Sequence, residues 1–362
     1  MIVIADDITG AAEMAGIAHQ HGLSVRLSIA GSLCCDRGVA ERTDVLVIAT
    51  DTRSMTEEEA VNETLRITSH LSPLTSHLFK KTDSALRGHV VAELSALMQT
   101  TGYQRAIYLP ANPSKGRIIR NGCYLIDGKP IHETAFSYDP EFPAKTSVLK
   151  ERFPDAEAHH ILMPDAETTA DIQQIVTANN NPDTLMAGAA DLFEAVLKTR
   201  KTRGTRNTRN TRDTRKSTLF LCGSTQSKPL DLGFPVTPMP LAIYDGSEDI
   251  APWLKEAEKL YEQQGSLMIT IPHHHRTGKE VAIHLREMTA ELIQHLVEKR
   301  APQQLIIEGG ASAFATLQHL GWNELEVVCQ IAPGVIKTKA PNGTFVIMKP
   351  GSYPWGHLTS YL

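Results

Sequence analysis

Three short polar segments of the chain carry the residue types that a site for a small anionic molecule needs. Each follows apolar residues, and they are Ala5-Asp6-Asp7-Ile8-Thr9-Gly10, Asp51-Thr52-Arg53-Ser54 and Lys80-Lys81-Thr82-Asp83-Ser84-Ala85-Leu86-Arg87-Gly88. One carboxylate can remove a proton from a substrate hydroxyl, and another can orient the substrate or hold Mg²⁺ through water. Arg53 and Arg87 can fork a substrate carboxylate, and Lys81 can neutralise a phosphate. The alternative is that one aspartate only caps the next helix, for which Thr9 is an equal candidate.

Apolar runs alternate with segments of helical period along most of the chain, which predicts an α/β fold with mostly parallel sheets. In the first half we predict strands at 2–5, 24–29, 45–50, 78–81, 105–109 and 160–163, and helices at 10–21, 56–71, 89–100 and 166–177. In the second half we predict strands at 217–222, 267–271, 305–307, 326–331 and 344–349, and helices at 249–264, 279–299 and 310–320. Asp127-Gly128 between apolar segments indicates a β-hairpin within 121–134. Because ligands of parallel sheets bind beyond the carboxyl ends of the strands, the three polar segments should meet at one edge.

The charge of the chain is unevenly distributed. Residues 198–216 hold nine Lys or Arg and one Asp in a sixfold Thr-Arg-Xaa repeat, so a net charge of −5 divides into +8 there and −13 elsewhere. The repeat has no apolar residue, so we expect a disordered linker between a domain at 1–197 and a domain at 217–362, with a cleft between the two. A tether for nucleic acid is the alternative role of the repeat, but an acidic globule repels phosphates, so an insertion in a tolerant loop is the favoured explanation.

Several classes of protein are disfavoured by what the sequence lacks. No signal peptide and no apolar run of about 18 residues occurs, and five cysteines form no zinc-type pair, so we expect a cytoplasmic protein with reduced thiols and no membrane partner. The triplet His273-His274-His275 has no acidic neighbour, and we expect no metal site built by the protein there. His132 is not expected to be a base, and Arg117, in the loop that also carries Lys115, faces either the ligand or solvent.

Nucleotide binding in the second half would depend on glycine turns, because neither GxxxxGK[ST] nor GxGxxG is present. Three such turns follow predicted strands, at Gly223-Ser224, Gly309-Gly310 and Pro350-Gly351. Gly309-Gly310 opens a helix, whose N-terminal amides can hold a phosphate.

The polar segments together resemble the four-carbon acid sugar kinase family. The likeness rests on residues 6–10, 51–54, 81–88 and 110–117, the last reading Pro-Ala-Asn-Pro-Ser-Lys-Gly-Arg. It implies an N-terminal domain that binds a sugar acid, a C-terminal nucleotide domain, and ATP- and Mg²⁺-dependent phosphorylation of the terminal hydroxyl of threonate, erythronate or an oxo-tetronate. The resemblance implies substrate contacts at Asp7, Arg53 and Lys81-Thr82-Asp83-Ser84, to which the physical argument adds Asp6 and Arg87. It implies ATP contacts at Ser224, Gly309, Gly310 and Gly351.

The resemblance leaves two questions open. Asp7 and Asp83 are equal candidates for the base that accepts the hydroxyl proton. The chain has Ala311-Ser312 where the family carries an acid and a threonine, and its tail at 349–356 also differs. A sugar-acid sensor without transfer activity is therefore the alternative function. The expected partners are the sugar acid and ATP, with a homodimer left open and nucleic acid disfavoured.

Overall fold

A computed structural model describes residues 1–29, 43–71, 77–139, 141–199, 216–223, 230–272, 278–351 and 353–362. The chain divides into two compact units, Met1–Thr205 and Arg206–Leu362. Most of the Thr-Arg repeat, as well as Cys34, Cys35, Ser224 and the histidine triplet, lies outside the described residues. The predicted disordered linker therefore remains a prediction.

The first unit is built on a parallel sheet of short apolar strands. These strands are β1 (Ile2–Ala5), β2 (Val25–Ile29), β3 (Val45–Ala49), β4 (Leu78–Lys81), β5 (Arg105–Leu109), β9 (Ile161–Leu162) and β10 (Thr184–Gly188). Their order is β2-β3-β1-β4-β10-β5-β9, and every neighbouring pair is parallel. Nearly every residue of β1, β3 and β4 is buried, as expected for strands covered on both faces.

Helices connect these strands and cover the sheet. They are α1 (Ile8–Gln20), α2 (Glu57–Leu71), α3 (Val90–Thr101), α4 (Leu149–Arg152), α5 (Thr169–Asn179) and α6 (Ala190–Lys198). Lys80 on β4 forms a buried ion pair with Glu93 on α3, and Thr52 also donates to the Glu93 carboxylate. The Glu93 carboxylate thus links the end of β4 to the segment that follows β3.

A small antiparallel sheet follows β5. Its strands are β6 (Arg117–Arg120), β7 (Cys123–Ile126) and β8 (Lys129–Pro130). The turn between β7 and β8 has positive φ at both Asp127 (49°) and Gly128 (79°), the geometry that Asp-Gly favours in a tight hairpin. The predicted hairpin is confirmed, and β6 extends it by a third strand.

The second unit contains a mixed sheet. Its strands are β11 (Thr218–Cys222), β12 (Val236–Pro238), β13 (Ser266–Thr270), β14 (Gln304–Glu308), β15 (Glu324–Ala332), β16 (Val335–Lys339) and β17 (Phe345–Lys349). The order is β12-β13-β11-β14-β17-β16-β15, parallel from β12 to β17 and antiparallel from β17 to β15. The helices of this unit are α7 (Leu241–Tyr244), α8 (Ala251–Gln264), α9 (Lys279–Lys299) and α10 (Gly310–His319).

The structure confirms the predicted α/β class with mostly parallel sheets. Four strands of the described residues were not predicted from the sequence: β6, β10, β12 and β16. The predicted strand at 160–163 is reduced to two residues, and the helix predicted from 166 begins at Thr169, where Thr168 caps it. No helix in the described ranges is long and apolar enough to cross a membrane.

Candidate functional site

The three polar segments meet because their strands are neighbours. β1 lies between β3 and β4, and Ala5 is paired to Ala49 and to Lys81. The three segments that follow these strands therefore leave the sheet at the same level. The Arg53 amide donates to the Asp6 carbonyl at 3.2 Å, and the Asp6 amide lies 3.4 Å from the Lys81 carbonyl. This register explains why the three polar segments share one edge of the sheet, as we predict from the sequence.

Arg53 is the centre of a cluster of carboxylates. Its Nε donates to Asp6 Oδ2 at 2.9 Å, and its Nη1 donates to Asp7 Oδ2 at 3.0 Å. Its Nη2 lies 2.9 Å from the same Asp6 oxygen and 3.7 Å from Asp83 Oδ1. The Arg53 fork is therefore occupied by protein carboxylates and holds three aspartates together.

The three aspartates differ in pKa. Burial raises the pKa of Asp6 above its usual range, because the attraction of Arg53 does not compensate for the loss of solvent. Burial also opposes ionisation of Asp7 and Asp83, but positive charges outweigh it and lower both pKa values, that of Asp83 far below its usual range. Of the groups that lower the two pKa values, Arg53 has the largest effect on both. Asp7 and Asp83 are thus carboxylates in the folded protein.

Asp7 also caps helix α1. Its Oδ1 accepts from the Gly10 amide at 2.8 Å, and Thr9 donates its hydroxyl to Oδ2. The cap is therefore Asp7 and not Thr9. Of the three aspartates Asp7 is the most open to solvent, with 16% of its side chain exposed, against 3% for Asp6 and 11% for Asp83.

Lys81 lies against the start of α1. Its ammonium donates to the Thr82 carbonyl at 2.9 Å and lies 3.9 Å from the carboxylate of Glu13, which also binds Lys115. Gly10 makes room for this arrangement, since a Cβ there would lie 2.7 Å from Asp7 Oδ1 and 2.9 Å from Lys81 Nζ. Glu13 was not predicted as a site residue from the sequence. It is the sixth residue of the helix that Asp7 caps, and this position near a candidate site residue could have indicated it.

Asp83 and Arg87 form a second part of the site. Arg87 donates from Nε and Nη2 to the two Asp83 oxygens, at 2.8 and 3.1 Å, and its Nη1 lies 3.4 Å from Asp139. Ser84 accepts a hydrogen bond from Arg117, which places the last residue of the 110–117 loop at the site. His132 lies on a short 3₁₀ segment, Ile131–Glu133, next to Glu133.

Two buried oxygen atoms at this edge have no hydrogen-bond partner among the described residues. They are Asp6 Oδ1 and Thr82 Oγ1, on the ends of adjacent strands. Because buried polar atoms are nearly always paired, these two are acceptor and donor positions for a bound molecule or water.

The second unit brings its glycine turns to one edge as well. β14 lies between β11 and β17, so Gly223, Gly309 and Gly351 follow three adjacent parallel strands. The Gly309 amide donates to the Lys349 carbonyl at 2.9 Å, and the Gly223 amide donates to the Glu308 carbonyl at 3.0 Å. Ser224 lies outside the described residues. Gly310 begins α10, whose N-terminal amides point to this edge.

Gly223 leaves no space for a side chain, and Gly309 has a backbone conformation that disfavours one. A Cβ on Gly223 would collide with Ser312 Oγ and lie 2.8 Å from the Glu308 carbonyl oxygen, and Gly309 has φ of 105°. The backbone is therefore bare at the N-terminus of α10, as close approach of a phosphate requires. Ser312, one of the residues that differ from the family pattern, is buried against this turn.

Within the part of the chain that the structure describes, no group of three or more His, Cys, Asp or Glu is placed to hold a metal ion. The histidine triplet falls in the undescribed segment 273–277.

Comparison with known protein families assigns a class to each end of the chain. Residues 1–155 match the sugar-binding N-terminal domain, and residues 236–353 match the nucleotide-binding C-terminal domain. The sugar-binding model thus matches the residues that carry the aspartate cluster, and the nucleotide-binding model matches a segment that includes Gly309 and Gly351. The two matches follow the order that the resemblance to the four-carbon acid sugar kinase family implies.

Curated relatives resemble part of the chain. The chain is 33% identical to a D-threonate kinase of Salmonella typhimurium over 156 residues, 42% of this chain and 35% of the relative. It is 29% identical to a D-erythronate kinase of Heliobacterium modesticaldum over 154 residues, 41% and 34% of the two chains. It is 30% identical to a 3-oxo-tetronate kinase of Brucella melitensis over 150 residues, 40% and 34%. The matched segment thus spans about a third of each relative's length.

Solved structures share the fold over the whole chain. A protein of Haemophilus influenzae superposes with a TM-score of 0.72 at 20% identity, covering 100% of this chain and 98% of that one. A protein of Salmonella typhimurium LT2 gives a TM-score of 0.75 at 18% identity, covering 98% and 96%. These likenesses establish the α/β architecture.

Proposed function

We propose that this protein is an ATP-dependent kinase that phosphorylates the terminal hydroxyl of a four-carbon sugar acid such as threonate, erythronate or 3-oxo-tetronate. The observation that carries the proposal is the convergence of Asp7, Arg53, Asp83 and Lys81 at one sheet edge of a sugar-binding domain. Carboxylates bind hydroxyls, and fixed cations attract the acid and the transferred phosphoryl group. The names of the relatives support the same class of substrate.

Asp7 is the base in this proposal. It is the most exposed of the three aspartates, and its pKa is low, so it is ionised and open to a substrate hydroxyl. Both aspartates accept hydrogen bonds at both oxygens, but Asp83 is the less exposed of the two, and it is held by the Arg87 fork and by the Ala85 amide at 3.0 Å. Asp83 therefore positions Arg53 and Arg87, and a phosphoryl transfer that needs little covalent chemistry depends on such positioning.

Asp6 and Thr82 bind the hydroxyl groups of the acid, since each has a buried oxygen without a partner among the described residues. Lys81 neutralises charge on the phosphoryl group as it moves to the acceptor. Its ammonium is fixed by the Thr82 carbonyl and lies within reach of Glu13, so no reorganisation is needed at the moment of transfer.

The ATP phosphates bind at the glycine turns of the second unit, because bare amides and a helix N-terminus meet there. These turns are at Gly223, Gly309-Gly310 and Gly351. Mg²⁺ would be held by the phosphate oxygens of ATP, a set of hard oxygens, since Asp7 and Asp83 already accept from protein groups at both of their oxygens. When bound, Mg²⁺ supplies charge neutralisation to the transferred group.

A screen of ADP release over threonate, erythronate and their 2- and 3-oxo relatives tests the proposal. We expect Mg·ATP-dependent turnover with at least one of these acids. Absence of turnover with all of them, together with calorimetric binding of an acid but not of Mg·ATP, would instead establish the sugar-acid sensor.

A further inference from the structure

The cations of the sugar-binding unit differ in what they already bind. Arg53 is held by two aspartates at 2.9 and 3.0 Å, and Arg87 is held by both oxygens of Asp83. Forks occupied in this way have few N–H groups left for a substrate. Arg53 and Arg87 therefore shape the cluster of carboxylates rather than offer themselves as receptors for another carboxylate.

The two lysines of the site are occupied too. Lys115 forms an ion pair with Glu13, and Lys81 lies 3.9 Å from the same carboxylate while donating to the Thr82 carbonyl. Glu13 thus balances part of the positive charge at this end of the site.

Arg117 is different. Its Nη1 donates to the hydroxyl of Ser84, and among the described residues no carboxylate forms an ion pair with it. Its guanidinium lies 5.6 Å from the centre of the Phe136 ring, and the Arg87 guanidinium lies 5.9 Å from the same ring. A cation packed on an aromatic ring keeps its plane fixed while its edge N–H groups remain available.

The surroundings of Arg117 fix its position from both sides. The Tyr124 hydroxyl, on the neighbouring strand β7, donates to the Ser84 carbonyl, and Ser84 in turn receives Arg117. Phe136 belongs to the 3₁₀ segment Ala135–Tyr138, which Thr134 caps through the Phe136 amide. A fixed guanidinium without a protein counter-ion is a receptor prepared for an anion.

We propose that Arg117 binds the carboxylate of the sugar acid and that Phe136 positions its guanidinium for that contact. This inference rests on the proposed kinase function and adds the basis of its selectivity for acids. Arg117 connects to Asp7 through Ser84, Asp83 and Arg53, so one site holds a receptor for the acid end and a base for the hydroxyl end. A four-carbon polyol without a carboxylate gains nothing from Arg117.

The test compares the wild type with Arg117→Met and Arg117→Lys in the ADP-release assay, using the acid that the wild type phosphorylates best. We expect Arg117→Met to lower kcat/KM for the acid by about 10- to 100-fold, mainly through KM, because one charge-assisted contact is lost. Arg117→Lys keeps the charge but not the fork, so its kcat/KM for the acid should lie between those of the wild type and Arg117→Met. The KM for Mg·ATP should stay within about twofold of the wild type.

Guanidinium rescue adds a measurement that a merely structural role would not move. Added guanidinium chloride at millimolar concentration should restore part of the activity of Arg117→Ala, whereas equal sodium chloride should not. Phe136→Leu should raise the KM for the acid less than Arg117→Met does, since it loosens the receptor without removing it.

The control variant is Arg120→Met, on the same strand, whose exposed side chain pairs with Glu167. It should behave as the wild type. An unchanged KM for the acid in Arg117→Met would overturn the inference, and so would a loss confined to kcat, which would place Arg117 at the phosphoryl group. If circular dichroism shows that Arg117→Met is unfolded, the other two variants replace it. A raised KM for the acid in Arg117→Lys and guanidinium rescue of Arg117→Ala would then support the inference, and the absence of both would overturn it. Inactive wild-type protein, by contrast, would reject the proposed function itself.

Discussion

The Lys349 ammonium lies 2.6 Å from the Glu308 carboxylate, and only 1% and 2% of these side chains are exposed. The same ammonium donates to the carbonyls of Pro350, Gly351 and Tyr353, at 3.0, 3.1 and 2.8 Å, and lies 5.0 Å from the Trp355 ring. One buried lysine thus fixes the turn after β17 against the end of β14. The position of Gly351 beside Gly309 depends on this contact.

Replacing Lys349 by Met should therefore affect both stability and nucleotide binding. We expect the free energy of unfolding to fall by about 3–5 kcal/mol, because the buried Glu308 carboxylate loses the ammonium of Lys349. We also expect weaker binding of Mg·ATP, because three carbonyls of the turn lose their donor. Denaturant unfolding and calorimetry measure the two effects.

Lys80→Met is the matched control, since Lys80 forms a buried pair with Glu93 in the other unit. It should cost a similar free energy of unfolding and leave the affinity for Mg·ATP unchanged. The double variant Lys349→Met/Glu308→Gln should regain stability without regaining affinity. Wild-type affinity in folded Lys349→Met would show that the turn does not depend on this lysine.

Asp7→Asn separates the chemical role of Asp7 from its structural role. Asparagine caps helices as well as aspartate does, so the fold of α1 should survive. It cannot accept the hydroxyl proton, so kcat should fall by about 10²- to 10⁴-fold. Steady-state kinetics measure the loss, and circular dichroism confirms the fold.

The control for Asp7→Asn is Asp171→Asn, at the exposed N-terminus of helix α5 in the same unit. It should keep full activity. Equal turnover of Asp7→Asn and the wild type would remove Asp7 from the mechanism, and a large loss in Asp83→Asn alone would assign the base to Asp83.

Asp83 should make the stability of the protein depend on acid pH. Burial opposes its ionisation, but Arg53 and Arg87 hold its pKa far below the ordinary 3.8. A carboxyl group whose pKa is lower when folded stabilises the protein above its unfolded pKa and loses this effect as the pH falls below it. The wild-type Tm should therefore drop steeply from about pH 4 downward.

Asp83→Asn should have a lower Tm at pH 7, since Arg53 and Arg87 lose a counter-ion, but a flatter dependence of Tm on pH in the acid range. Calorimetric scans between about pH 3 and 7 compare the two proteins. Parallel curves for variant and wild type would mean that Asp83 does not carry the acid sensitivity.

The residues that lie at the ends of strands could be predicted from the sequence, because the strands themselves could. β1 and β4 were predicted with their observed bounds, and the parallel pairing of β3, β1 and β4 was enough to bring Asp6, Arg53 and Lys81 together. The five-residue strand β10 was missed, although it lies in the middle of the first sheet. Its sequence Thr-Leu-Met-Ala-Gly has neither alternation nor β-branched enrichment, so tertiary pairing determines it.

Partners far apart in sequence could not be predicted. Glu308 and Lys349 are 41 positions apart, and nothing in either segment indicates that their side chains pair; the same holds for Glu13 and Lys115. The sequence also could not show that Arg53 is already occupied by aspartates while Arg117 is not. That distinction depends on side-chain directions, which no one-dimensional pattern contains.

Gly223→Ala tests whether the bare backbone at the second sheet edge matters. The φ of Gly223 is not in the left-handed region, so alanine causes no backbone strain, but its Cβ would collide with Ser312 Oγ and approach the Glu308 carbonyl oxygen to 2.8 Å. Overpacking of this kind costs about 1–3 kcal/mol of unfolding free energy. Because the turn must shift to relieve it, the affinity for Mg·ATP should fall as well.

Gly233→Ala is the contrasting variant in the same unit, where φ is 66° and no atom lies within 4 Å of the added Cβ. It should cost about 1 kcal/mol through backbone strain alone and leave the Mg·ATP affinity unchanged. Adding Ser312→Gly to Gly223→Ala removes the side chain that collides and should recover part of both losses, measured by denaturant unfolding and calorimetry. If Gly223→Ala binds Mg·ATP as the wild type does, the phosphates are held elsewhere than at this turn.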